Sequence, residues 1–253
     1  LFIYFVVFVL GSVWGSFCNV CIYRLPKNEN IVSDRSKCRT CKKKINWYDN
    51  IPLISYLILK GNCKCGKIKI DFRYFLVELI SALSFLGIFY LYGLTIVTLL
   101  LIVLTIFFII IFFIDLDHFI IPNELTFPLM IIGFFKSFDP NINLSLFPNY
   151  IESLIGGVFG YILIWGIITL YMKIRKKEGM GLGDAKLLAA IGFWFGWYSI
   201  PYIIFLSSLS ALLIALPSLI NKSKSMSSQI PFGPYLIFGT VAYLVVRNYL
   251  TFI

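Results

Sequence analysis

The chain is poor in charge and almost devoid of histidine. Only 13% of its 253 residues are charged and one is histidine, against about 25% charged in an ordinary soluble domain. With His118 alone, the His-Glu-x-x-His zinc sites of metallopeptidases are excluded, because they need two imidazoles one helical turn apart. A Ser-His-Asp triad would have to use His118, and no nucleophile-elbow motif accompanies it. His118 reads instead as an interfacial residue beside neighbouring acids. No glycine-rich phosphate loop follows a strand pattern. Gly181-Leu182-Gly183 lacks the preceding strand and the further glycines of a dinucleotide motif. Low-complexity tracts and internal repeats are absent as well.

What replaces charge is long apolar runs. The composition is 59% hydrophobic, and several windows of about 20 residues carry almost no charge, the mark of membrane-spanning helices. The expected fold is an all-α polytopic membrane protein with about eight transmembrane helices, near 1–22, 73–92, 94–114, 123–136, 151–172, 187–198, 201–220 and 231–251. The first lacks a basic leader and precedes a basic loop, so it reads as a retained membrane helix and not as a signal peptide. Gly156, Gly157 and Gly160 offer a close-packing face in the fifth. The expected organisation is a first helix over 1–23, a basic Cys-rich loop domain over 24–72 and a transmembrane domain over 73–253.

The net charge of +10 resembles that of a nucleic-acid-binding protein, but its distribution argues otherwise. Thirteen of the 22 basic residues fall between Arg24 and Arg73. Most of the others fall between Lys173 and Lys186 or at Lys222 and Lys224. The loops near 93, 139–149 and 199–201 carry none. This is the positive-inside pattern, which implies a lipid bilayer as partner, no nucleic acid, and a cytoplasmic face holding residues 24–72, 115–122, 173–186 and 221–229.

That face would collect the informative residues. Asp184 lies among the glycines of Gly179-Met180-Gly181-Leu182-Gly183, and Asp115 closes the third apolar run. Carboxylates at a membrane boundary are expensive to place and are a functional-site hypothesis by default. Two of them close together share one proton: the ionised member acts as base on a water while the protonated member polarises a carbonyl. The competing reading is that these acids cap helices or pair with Lys186. Glu78 has two readings, an ion pair with Arg73 or Lys69, or a cofactor or substrate contact. Cys38-x-x-Cys41 and Cys63-x-Cys65 flank 21 residues. Four thiolates suit a closed structural zinc knuckle, with free thiols as the alternative, the second pair being one residue short of the usual spacing. Cys18 and Cys21 read as small packing residues in the first helix. Pro231-Phe232-Gly233-Pro234 reads as a rigid, unwound start to the last helix that would lie over the acids.

In this order the motifs resemble the prepilin peptidase family, the membrane leader peptidase/N-methyltransferases that act on type IV prepilins and pseudopilins. The resemblance covers nearly the whole chain. It rests on Gly11-Ser12, Gly15-Ser16-Phe17-Cys18-Asn19-Val20 and Arg24-Leu25-Pro26, on Trp47 to Tyr56, on Arg73-Tyr74 and Val77-Glu78, on Asp115 with Ile121-Pro122-Asn123, on Gly181-Leu182-Gly183-Asp184 with Lys186-Leu187, and on Pro231 to Pro234. It implies catalytic roles for Asp115 and Asp184, with Asp117, Gly181, Gly183, Lys186 and Pro122 in support. It also implies cleavage after a glycine on the cytoplasmic side of a bacterial inner membrane, and methylation of the new N-terminus from S-adenosylmethionine. Cys38, Cys41, Cys63 and Cys65 would hold the zinc, and Glu78 is a weak candidate for the methyl-donor site. Two rival classes stand beside this reading: a transporter using the boundary acids, and a non-catalytic pilus-assembly scaffold.

Overall fold

The computed structural model describes residues 1–31, 51–63, 69–142, 146–176, 180–220 and 231–251. The described chain is helical: α1 (Phe2–Arg24), α2 (Ile54–Ile58), α3 (Phe72–Tyr92), α4 (Ile96–His118), α5 (Asn123–Phe135), α6 (Tyr150–Arg175), α7 (Leu182–Phe195), α8 (Ser199–Ile220) and α9 (Gly233–Thr251). Among the described residues there is no strand, only an isolated antiparallel bridge between Asn62 and Lys69. Short 3-10 turns, Leu25–Lys27 and Lys136–Phe138, follow α1 and α5.

Among the described residues five helices are long and apolar enough to cross a membrane: Phe2–Lys27, Phe72–Tyr92, Ile96–His118, Tyr150–Arg175 and Ser199–Leu216. Helices α5 and α7, with 13 and 14 residues, rise only about 20 Å at 1.5 Å per residue, short of a hydrocarbon core about 30 Å thick. The apolar stretch of α9, Gly233–Arg247, is likewise shorter. Cys38, Cys41, Cys65 and the Trp47–Asn50 stretch lie outside the described residues.

The chain forms two compact units that meet within α4, Leu1–Ile110 and Ile111–Ile253. In the first, α1 and α3 run antiparallel with their backbones close together. A Cβ on Gly11 would stand 2.7 Å from the Ala82 Cα, and one on Gly15 would stand 2.7 Å from the Glu78 Cα. Tyr4 meets Phe89 edge to face, and Asn19 Nδ2 donates to the Tyr74 carbonyl at 3.0 Å, so the same register holds along the pair. Ser12, Cys18, Asn19 and Cys21 are buried on this face. The N-terminal motif is therefore a helix-packing surface, and Cys18 and Cys21 sit in it as small buried side chains.

In the second unit α7 is the central post. Gly156 and Gly192 face each other across α6 and α7; a Cβ on Gly156 would lie 2.5 Å from the Gly192 carbonyl oxygen. Gly157 leaves room for the Phe193 ring and Gly160 for the Leu188 backbone. The glycine face expected in the fifth apolar segment thus serves to admit α7. The C-terminal end of α7 is held by side chains from its neighbours. Ser153 Oγ donates to the Phe193 carbonyl at 2.7 Å, and Lys136 Nζ donates to the Trp194 carbonyl at 2.9 Å. Trp194 Nε1 donates to the Leu129 carbonyl at 2.8 Å. Lys136 is buried and stands 3.8 Å from the Phe147 ring centroid. A cation at a helix C-terminus meets the last carbonyls and the negative end of the helix dipole.

Candidate active site

Helix α4 does not stop at Ile114, where the apolar run ends, but continues through Asp115 to His118. The end comes at Phe119, which takes φ +57° while its N–H donates to the Asp115 carbonyl at 2.9 Å. This is a left-handed helix cap built without glycine, and such backbone conformations cluster at functional sites. It turns the chain out of α4 and into the extended residue Pro122, which precedes the first residue of α5. Asp115 is only 4% exposed. Its Oδ2 accepts the Gly233 backbone N–H at 3.0 Å. Gly233 is the first residue of α9, so this N–H belongs to the group of donors that a helix N-terminus leaves without an intrahelical partner.

Helix α7 begins at Leu182, five residues earlier than the apolar pattern suggests, so Asp184 lies inside it and not in a loop. Gly181 is the N-cap, in extended conformation. Asp184 stands three residues on and its carboxylate accepts the Gly181 backbone N–H, the reach-back half of a capping box. An acid in the first turn also complements the helix dipole. Asp184 does cap its helix, then, but capping works equally well at a solvated helix end, and this acid is 7% exposed. The charge of Asp115 is felt at Asp184. The structure therefore brings together two buried acids from α4 and α7, each held by a backbone N–H.

The remaining candidates are arranged around them. Gly183 lies against Ile121: a Cβ there would be 3.0 Å from the Ile121 Cβ. Lys186 Nζ donates to Asn123 Oδ1 at 2.7 Å, tying the start of α7 to the start of α5. Lys186 thus takes the Asn123 amide oxygen as its hydrogen-bond partner. Pro122 accepts at its carbonyl from Leu125 and Thr126 N–H, opening α5. Asp117 and His118 are exposed, because two helical positions turn about 200° and point Asp117 away from the face that carries Asp115. The Pro231–Pro234 segment does lie against an acid, through Gly233. That Gly233 is a direct partner of Asp115 and that Ile121 packs between Gly183 and Gly233 were not legible; the one signal was the two-proline motif itself.

In the first unit, Glu78 takes hydrogen bonds from a backbone and a hydroxyl donor. It accepts the Leu53 N–H at Oε2, at 2.8 Å, and a hydrogen bond from the Ser16 hydroxyl. Leu53 has φ +62°, a strained conformation for a side chain of that size. Cys63 is partly exposed. Among the described residues no group of three His, Cys, Asp or Glu side chains is placed to hold a metal.

Membrane-length apolar helices together with a buried acid pair define a multi-helix membrane protein with a candidate hydrolytic centre. Residues 9–92 match the family described as Bacterial Peptidase A24 N-terminal domain, and residues 102–216 match the Type IV leader peptidase family. A protein of Pseudomonas aeruginosa named Prepilin leader peptidase/N-methyltransferase is 36% identical over 272 residues, spanning 96% of this chain and 92% of that protein. Proteins of the same name from Aeromonas hydrophila and Neisseria gonorrhoeae are 35% and 34% identical, with 93% and 85% of their lengths covered. No solved structure matches. The chain belongs to the type IV leader peptidase family.

Proposed function

We propose that this protein cleaves the leader peptide from type IV prepilins or pseudopilins with Asp115 and Asp184 as an aspartate dyad, and N-methylates the new N-terminus. The observation that carries the reading is the burial of both acids in one unit, each with a backbone N–H partner, in a chain of this family. The ionised carboxylate takes a proton from a water. The water oxygen attacks the scissile carbonyl carbon while the protonated carboxyl hydrogen-bonds the carbonyl oxygen. Collapse of the tetrahedral intermediate breaks the C–N bond, and the leaving nitrogen takes a proton from the dyad. The free α-amine so produced is the group that methylation would modify.

Around that centre, the proposal places eight passages of the chain through a bacterial inner membrane, with the acids at the cytoplasmic face where the basic loops lie. The division into a first helix over 1–23, a Cys-rich loop over 24–72 and a peptidase domain over 73–253 is part of it. Gly181 keeps the backbone before Asp184 slim enough for a substrate strand, Gly183 admits Ile121, Pro122 and Lys186 fix the adjoining helix starts, and Asp117 contributes charge at the exposed rim. S-adenosylmethionine, when bound, supplies the methyl group. Glu78 is a candidate contact for it: two donors reach its carboxylate, and an ionised carboxylate has about four lone-pair sites. Cys38, Cys41, Cys63 and Cys65 are a donor set suited to structural zinc.

The test is cleavage of a prepilin by purified protein followed by intact mass, with and without S-adenosylmethionine. Asp115→Asn and Asp184→Asn should each abolish cleavage. Wild-type rates in either variant would remove the dyad, and prepilin binding without cleavage by the wild type would favour a scaffold. A metal assay on reduced protein tests the zinc site.

A further inference from the structure

We propose that Gly233 is a positioning residue of the acid pair, holding the Asp115 carboxylate through its backbone N–H, with Ile121 as the spacer between Gly233 and the start of α7 that carries Asp184. The inference rests on the reading of Asp115 and Asp184 as the peptidase dyad.

Gly233 is not glycine for conformational reasons, since it is not among the residues with positive φ. Space is the reason. A Cβ built on Gly233 would stand 2.6 Å from Asp115 Oδ2, 3.3 Å from its Cγ and 3.1 Å from Ile121 Cδ1. Only a residue without a side chain brings its N–H to 3.0 Å from this oxygen. The next residue, Pro234, has no N–H of its own, and the N–H groups of Tyr235 and Leu236 are taken by the Phe232 carbonyl. The opening of α9 therefore presents Gly233 N–H to the acid.

Ile121 completes the arrangement. Its Cβ lies against Gly183, beside Asp184, and its Cδ1 lies against Gly233, beside Asp115. One side chain thus touches Gly183, which precedes Asp184, and Gly233, which holds Asp115, from a position six residues beyond Asp115 and past the Phe119 turn. The width of that side chain sets how closely the start of α9 approaches the start of α7, and the Gly233 N–H sets the orientation of Asp115. Asp115 in turn is the charged group that acts on Asp184 at the start of α7.

In Gly233→Ala, the contact at 2.6 Å must open to an ordinary 3.4 Å, so the carboxylate moves by about 0.8 Å. A misplacement near 1 Å costs on the order of a hundredfold in rate. We expect kcat for prepilin cleavage to fall by roughly that factor with KM within about twofold, because the apolar substrate helix is bound by surfaces the change leaves alone. Ile121→Ala, which adds no clash, should lower kcat about tenfold, and Ile121→Val much less. Methylation of a peptide that already carries the mature N-terminus, with S-adenosylmethionine supplied, reports that the variants are folded. Wild-type kcat in Gly233→Ala overturns the inference. So does loss of cleavage and methylation together in Gly233→Ala with wild-type kcat in Ile121→Ala, the signature of a merely structural role. Cleavage that survives Asp115→Asn would instead overturn the dyad reading on which the inference rests.

Discussion

Two glycines ten residues apart in α6 should respond to alanine with opposite signs. Gly156 faces the α7 backbone: its Cβ would stand 2.5 Å from the Gly192 oxygen, 2.7 Å from the Gly196 carbonyl carbon and 2.8 Å from the Trp197 nitrogen. All three are main-chain atoms, so no rotamer change relieves the clash. Reaching ordinary contact at 3.4 Å requires α6 and α7 to separate by about 0.9 Å. Overpacking of this kind costs about 1–3 kcal/mol, more than the roughly 0.5–1 kcal/mol that Gly→Ala returns inside a helix. Gly166 has nothing within 4 Å of its Cβ position, so there only the helix gain remains. At about 2–4 °C per kcal/mol for a chain of this size, Gly156→Ala should melt below wild type, by up to about 10 °C, and Gly166→Ala about 1–4 °C above it, measured by thermal unfolding of purified protein in one detergent. Since α7 carries Asp184, cleavage should also slow in Gly156→Ala and stay unchanged in Gly166→Ala. A Gly156→Ala protein that melts at or above wild type would refute the close-packing argument.

Trp194→Phe keeps an aromatic ring but removes the donor to the Leu129 carbonyl; it should cost about 0.5–1.5 kcal/mol, read as a lower melting temperature with cleavage retained. Asn19→Ala removes the donor to the Tyr74 carbonyl from a buried face; it should cost about 1–3 kcal/mol and affect methylation more than cleavage, because it lies in the first unit. Asp117→Asn should lower the cleavage rate no more than about threefold, since solvent screens an exposed charge. It should also leave the shape of the pH–rate profile as in wild type, whereas a dyad titrates as a pair.

Much of the site was legible because its residue types are rare in this chain. In so apolar a sequence, Asp115 and Asp184 stood out, and the glycines before Asp184 marked a place where backbone approaches closely. Less legible was the state of the chain around them. Gly181 and Gly183 suggested a loop, yet glycine is accepted at an N-cap, and α7 starts there, taking Asp184 into its first turn. The contact between Gly233 and Asp115 joins residues 118 positions apart, which no local pattern encodes. The contacts of Glu78 with Leu53, at the start of a short helical segment, and with Ser16 from α1 were not legible either, because both lie far from it in sequence. Helix number was hard to read for a related reason. The apolar runs of α5 and α7 reflect burial among other helices as much as exposure to lipid: Leu187, Leu188, Ala190 and Ile191 have no exposed surface at all. Hydropathy does not distinguish protein interior from hydrocarbon.

The hold on the far end of α7 has a mechanical meaning. Trp194, gripped by Lys136 and Leu129, stands ten residues from Asp184, about 15 Å along the helix axis. A helix does not stretch, so a post fastened at its base fixes the height of whatever it carries at its tip. The depth of Asp184 is thereby gauged from the opposite end of the unit, as the tip of a depth stop is set by its foot. Loosening the foot by replacing Lys136 would shift the acid along the helix axis without touching any residue near it.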